Sequence, residues 1–397
     1  MKPSQNHLPP RWALIVLLIL GVSLCLFWLW EISFKTNFGS SDFIGYWSAT
    51  HLLVKGENPY DPALMEMIQK DIETGWDVTI MAWNPPLLFV FLLPLGWLSF
   101  TTAKFIWMIV SIMIFLGASL MLMEIYIPKD RSETRLLFLL FAICLPQMIS
   151  GLFMGQVTFL VFFGMTASLF LLNKGHIFWA GAILVLILIK PHLVVLSLVY
   201  VLIYMARKRQ FEGWVGLTVA GLTCILILFF FRPIWIQDLL EQMNHSPINW
   251  FTPTIGGFIS YLGISENFNY VIFLLLPLPV FLAWCRPEIN PYRVVAFLTL
   301  ITVPLTFFGW SYDQIILLIP IAQIFIWVSL LEKRSARIWF TGVILFALAL
   351  VFIHRIFSQN DVFQIWFPFF WWIIYFSAWR LSGTSISVTG LSERHSS

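Results

Sequence analysis

Long apolar stretches, one after another with short polar connectors between them, fix what this chain can become. They fall at 12–32, 84–98, 104–126, 136–153, 157–173, 177–190, 192–206, 214–231, 269–284, 293–308, 314–331, 338–357 and 362–380. In hydrocarbon every backbone N–H and C=O must find a partner within its own segment or sheet, so stretches of this length read as transmembrane helices. The composition agrees: 59% of the 397 residues are hydrophobic and 11% charged, against roughly 25% charged in a soluble domain. The expectation is an all-α polytopic membrane protein, a single transmembrane domain over 1–380, with a Ser/Thr/Gly-rich, disordered tail over 381–397.

Charge orients the spans. Lys2 and Arg11 precede the first, Arg207-Lys208-Arg209 follow the 192–206 stretch, and Lys333, Arg334 and Arg337 share a later connector. Arg286 and Arg293 flank another, and Arg380 opens the tail. The positive-inside rule places all of these in the cytoplasm. Arg11 and the long apolar run behind it, with no small-residue cleavage site, read as a retained first helix and not a signal peptide. An even number of crossings must then separate the N-terminus from Arg207, and the stretches offer an odd number. The segment that best fails to cross is 84–98, which is short and carries Pro85, Pro86 and Pro94. Without it about twelve crossings remain, with both termini inside. No half of the chain repeats the other, as the inverted repeats of a transporter would.

This topology gathers the polar features on the outer side. They are the 33–83 loop, the Gly155-Gln156 turn, the Lys190-Pro191-His192 turn, the 232–268 loop and Gly309–Gln314. In the first loop, Phe43, Tyr46, Trp47, Leu53 and Val54 have the spacing of an amphipathic surface helix. Asn58–Pro62 makes a rigid turn, with a second short helix over 63–72. Asp42 begins this unit. A carboxylate there can take a proton from an attacking hydroxyl, and the same residue also fits an N-cap. Asp61, between Tyr60 and Pro62, reads as a turn residue.

Lys190 ends an apolar run on the side where positive charge is disfavoured, so an anion such as phosphate is an attractive partner, with snorkelling as the alternative. Arg232 in FFFRPIW is a second candidate for that anion, with a helix-end anchor as the alternative. Tyr46, Trp47, Asn58, Tyr60, Gln156, Tyr312 and Asp313 are candidate substrate contacts. A net charge of +3 offers no basic field for nucleic acid. The four cysteines show no paired spacing, and there is no Walker loop, DxD pair or Cys/His cluster. No metal site and no cofactor is expected.

Four stretches together resemble glycosyltransferase family 87: DFIGYWSATHLLVKGENPYD (42–61), WNPPLLFVFLLPL (83–95), GQVTFLVF (155–162) and the Lys-Pro of LILIKPHLVVL (187–197). The resemblance implies a GT-C-like bundle and an inverting transfer at the outer face of a bacterial plasma membrane. A mannose-like sugar would pass from a polyprenyl phosphate to a hydroxyl of a glycan or glycolipid. It implies Asp42 as general base. The chain departs from the pattern at 309–314, where Ser311-Tyr312-Asp313-Gln314 stand in place of a His–Tyr-like pair. The competing class is a lipid-linked oligosaccharide flippase or secondary transporter, which has no need of an acid fixed on the outer side. A non-catalytic envelope scaffold accounts poorly for Asp42, Lys190 and Asp313 on one face.

Overall fold

The computed structural model describes residues 41–72, 78–244, 250–265, 267–358 and 360–383, together with residues 16, 19 and 23. The remainder of the first apolar stretch and most of the tail lie outside these, as does the connection between the 12–32 span and Ser41. Among the described residues the chain is helical, with no strand.

Every apolar stretch from 104 onward is a helix or a pair of helices. Six are long and apolar enough to cross a membrane: Phe100–Tyr126, Phe211–Phe231, Phe268–Cys285, Ser311–Ser329, Arg334–His354 and Asp361–Ser382. A seventh arises if Ser132–Ile143 and Pro146–Met154, which meet at 44°, form one broken span. The break falls at Pro146, whose ring bars Leu145 from helical geometry. The rest are shorter apolar helices of 10–17 residues, including Thr158–Asn173, Pro191–Arg207 and Pro291–Leu305. The 84–98 stretch yields only Leu87–Gly96, with Pro94 inside it. Ten residues rise about 15 Å, half the hydrocarbon thickness, so this helix cannot cross alone.

Exposure shows which helices meet lipid. Val215, Leu222, Leu226 and Phe230 stand exposed along Phe211–Phe231, a helix apolar on every side, which is stable only against hydrocarbon. Ser311–Val328 is buried at every position and forms the centre of the bundle.

The helix that begins at Ser41 differs from the expected amphipathic surface helix. Ser41–Val54 is buried continuously from Phe43 to Thr50, lying along Leu87–Gly96. Its second face (Ile44, Ser48, Ala49, Leu52) is small or apolar and carries no charge that would keep it in water. Gly96 permits the contact, since a Cβ there would lie 2.9 Å from the Thr50 methyl. The second helix, Pro62–Asp71, is the amphipathic one, with Met65 and Ile68 buried and Glu66 and Lys70 exposed. Asp61 caps it, its Oδ1 accepting from the Ala63 and Leu64 amides at 2.9 and 3.1 Å.

Gly155 ends the Pro146–Met154 helix in the left-handed region, φ +66°. A Cβ there would stand 2.5 Å from that of Phe43. Gly155→Ala therefore adds backbone strain of about 1–3 kcal/mol and a clash. The thermal midpoint of the purified protein should fall, and an unchanged midpoint would show that Phe43 and the 155 turn do not pack this closely.

Candidate active site

Three local devices aim polar side chains at one another. The first is the Gly155 turn. Trp107 stacks on Phe43 with centroids 6.0 Å apart and planes 5° from parallel, and its Nε1 donates to the Gly155 carbonyl at 2.9 Å. With Phe43 pressed against Gly155, Gln156 falls beside Asp42. The second is a 3-10 run, Ile183–Ile189, that ends at Lys190. The following proline keeps Lys190 out of helical geometry (φ −143°, ψ 66°). The third is another 3-10 run, Ser311–Leu317, that carries Tyr312 and Asp313.

The result is one connected network. Lys190 Nζ donates to Asp313 Oδ1 at 3.1 Å, Gln156 Oε1 at 3.0 Å and Thr158 Oγ1 at 3.3 Å, and lies 5.5 Å over the Tyr312 ring. Thr158 also donates to Asp313. Tyr46 adds an O–H to Gln156 Oε1 at 3.4 Å. With Oε1 so occupied, the Gln156 amide must turn its Nε2 outward, where it donates to Asp42 Oδ2. Tyr312 donates to the same oxygen at 3.1 Å. Among the described residues both bonds converge on Oδ2 and leave Oδ1 without a partner. The carboxylate thus reaches across to other elements instead of capping its own helix.

Burial raises the Asp42 carboxyl above the ordinary aspartate range, and the Lys190 cation partly opposes the rise. Asp313 is fully engaged. Its Oδ2 accepts the Trp310 amide at 2.9 Å, so the ion pair also holds the 310–313 turn. Asp361 grips that turn from outside, accepting from the Ser311 amide at 2.7 Å and its hydroxyl at 2.8 Å.

The sequence motifs interlock through the same bonds. Tyr60 donates to the Asn84 carbonyl at 2.9 Å, and Asn84 Nδ2 to the Ile189 carbonyl at 3.4 Å, one residue before Lys190. Of the expected contacts, Gln156 and Tyr312 bond Asp42, and Tyr46, Lys190 and Asp313 join them through Gln156 and Lys190. Trp47 is buried and donates to the Leu95 and Leu98 carbonyls at 3.2 Å each. Asn58 caps the Tyr60 amide at 2.9 Å. Arg232 forms a bidentate pair with the buried Asp238 at 2.7 and 3.1 Å and reaches the Gly56 carbonyl at 3.0 Å. Thr158 and Asn84 went unread in sequence, although Thr158 stands two residues beyond Gln156 in an otherwise apolar run.

The sequence model of glycosyltransferase family 87 matches residues 83–308, more than half of the chain. The chain belongs to glycosyltransferase family 87. No curated protein and no solved structure matches it. Family membership makes this a membrane glycosyltransferase, and the matched residues include Gln156, Thr158 and Lys190. Asp42 and Asp313 lie outside the matched range and are bound to it by the bonds above.

Removing one partner of a buried ion pair leaves an uncompensated charge, at about 3–5 kcal/mol. Lys190→Met should therefore lower the thermal midpoint sharply, and Lys190→Met with Asp313→Asn should recover most of the loss. Equal midpoints for the parent and the single variant would mean that the pair is solvated and holds nothing together.

Proposed function

We propose that this family 87 enzyme transfers a sugar, mannose-like, from a polyprenyl phosphate to a hydroxyl of a glycan or glycolipid at the outer face of a bacterial plasma membrane. Asp42 is the general base. The observation that carries this reading is the asymmetry of its carboxylate, with Oδ2 fixed by Gln156 and Tyr312 and Oδ1 without a partner among the described residues. Oδ1 takes the proton of the acceptor hydroxyl. The acceptor oxygen then forms its bond to the anomeric carbon as the bond from that carbon to the phosphate oxygen breaks, with inversion. One displacement needs one base.

The departing phosphate gathers negative charge, and Lys190 is the buried cation nearest the base. Its bond to Thr158 is the longest of its three, and a phosphate oxygen would take that proton while the Asp313 pair persists. This stabilises charge as it develops. Arg232, committed to Asp238, is given no part in the step.

The outer-face placement rests on where the basic connectors lie. Glu124 gathers Lys129, Arg135 and Lys174 at the end of the Phe100–Tyr126 helix opposite Trp107, about 25 Å away at ~1.5 Å per residue. Arg207 ends the segment that Lys190 begins, and Lys333 follows the far end of the helix that Asp313 opens. Three segments thus have the site at one end and basic residues at the other, and positive charge favours the cytoplasm. A flippase has no need of an oriented base.

Asp42→Asn keeps the shape and cannot accept the proton at neutral pH. Transfer of labelled sugar from polyprenyl phosphate by protein in lipid should fall ~10²–10⁴-fold. Asp61→Asn should cost little, because Asn caps a helix as well as Asp does. Transfer by Asp42→Asn within a few-fold of the parent would remove Asp42 from the chemistry. The base must be ionised, so kcat/KM should decline as pH falls through its raised pKa. That acid limb should lie above the ordinary aspartate range, and a limb inside it would contradict the buried base.

A further inference from the structure

A run of aromatic rings leads away from Asp42. Tyr312, whose hydroxyl bonds Asp42, stacks on Trp310 with centroids 6.5 Å apart and planes at 29°. Trp310 meets Trp250 at 5.9 Å, and Trp250 meets Trp83 edge-on at 6.3 Å. The three tryptophans come from three distant segments: the strap before Leu87–Gly96, the 232–268 loop, and the 309–314 turn. All three are half-buried, so part of each ring faces outward.

Their indole N–H groups make no hydrogen bond among the described residues. Trp47, Trp107 and Trp372 donate to carbonyls, and Trp235, Trp327 and Trp371 have an unpartnered N–H that is buried, whereas the rings of this row are only half-buried. Nor is the row loosely hung. Trp310 is pinned through its amide by Asp313, and Trp83 is adjacent to Asn84, which bonds the Ile189 carbonyl.

Resting on the reading of Asp42 as base, we infer that Trp310, Trp250 and Trp83 form a stacking track for the pyranose rings of an oligosaccharide acceptor. Each pyranose has a face of C–H bonds, polarised positive, which fits the negative face of an aromatic ring. Its rim of hydroxyls fits the free indole N–H donors. The track starts at the base, where the reacting hydroxyl must sit. It then runs for three steps of about 6 Å, a contour longer than one monosaccharide ring. A donor carries its sugar at one point, whereas an acceptor glycan has further rings to place. An isoprenoid chain would gain nothing from free N–H groups.

Saturation-transfer NMR on the whole protein in lipid nanodiscs, with irradiation of aromatic protons, reads this contact without any reaction. The probes are mannotriose, methyl mannopyranoside and farnesyl phosphate. Transfer should reach the ring C–H protons of mannotriose more strongly than those of the monosaccharide. It should persist in Asp42→Asn. Trp250→Leu and Trp310→Leu should weaken mannotriose binding about three- to tenfold, the worth of one aromatic contact. Trp250→Phe, which keeps the packing and loses the N–H, should lie between parent and Leu and guards against a misfolded variant.

Transfer to mannotriose that ignores all three substitutions would overturn the track, as would transfer to farnesyl phosphate alone. Neither result touches the catalytic reading, which stands or falls on turnover by Asp42→Asn.

Discussion

The buried pair between Lys190 and Asp313 is the interaction on which the site depends. Two charges held among apolar helices are tolerable only when each remaining proton and lone pair is satisfied. Here each is spent usefully. Asp313 gives one oxygen to Lys190 and Thr158 and the other to the Trp310 amide, which closes the turn bearing Tyr312. Lys190 gives one proton to Gln156 Oε1, which fixes the flip of that amide and turns its N–H toward Asp42. Gln156 and Tyr312, the two groups that hold Asp42, are therefore both set from the same ion pair. With Asp42 ionised, the three charges sum to −1, so the site has no surplus positive charge.

The membrane sets where such a site can be. Regular helices satisfy their own backbone and can face lipid, as Phe211–Phe231 does. Irregular backbone is affordable only inside protein. The two 3-10 runs and the Gly155 turn obey this. They lie in segments where Leu184–Ile187 and Ser311–Leu317 are buried, and together they deliver Gln156, Lys190, Tyr312 and Asp313 to the common end.

Much of this was legible in the chain. Apolar runs gave the helices from 104 onward because length and composition decide that in a bilayer. Asp42, Gln156, Lys190 and Asp313 stood out because a polar group at the end of an apolar run needs a partner. What the sequence withheld was which partner. In sequence Lys190 reads as a partner for an external anion or as a snorkelling cation, yet its counter-charge lies 123 residues on, brought by tertiary packing. Arg232 looked free for the same reason, and Asp238 six residues away takes it. The spacing of Phe43, Tyr46 and Trp47 fitted a surface helix. The uncharged opposite face, more than that spacing, decided its burial.

The proposed transfer makes one geometric demand, that Asp42 Oδ1 receive the acceptor's proton. The most direct measurement is a cryo-EM structure with an acceptor glycan and a phosphonate analogue of the polyprenyl-linked sugar bound together. The acceptor hydroxyl should lie within about 2.6–3.2 Å of Asp42 Oδ1, with Gln156 and Tyr312 still on Oδ2. A hydroxyl seated on another acid, or Asp42 turned back to cap its own helix, would contradict it.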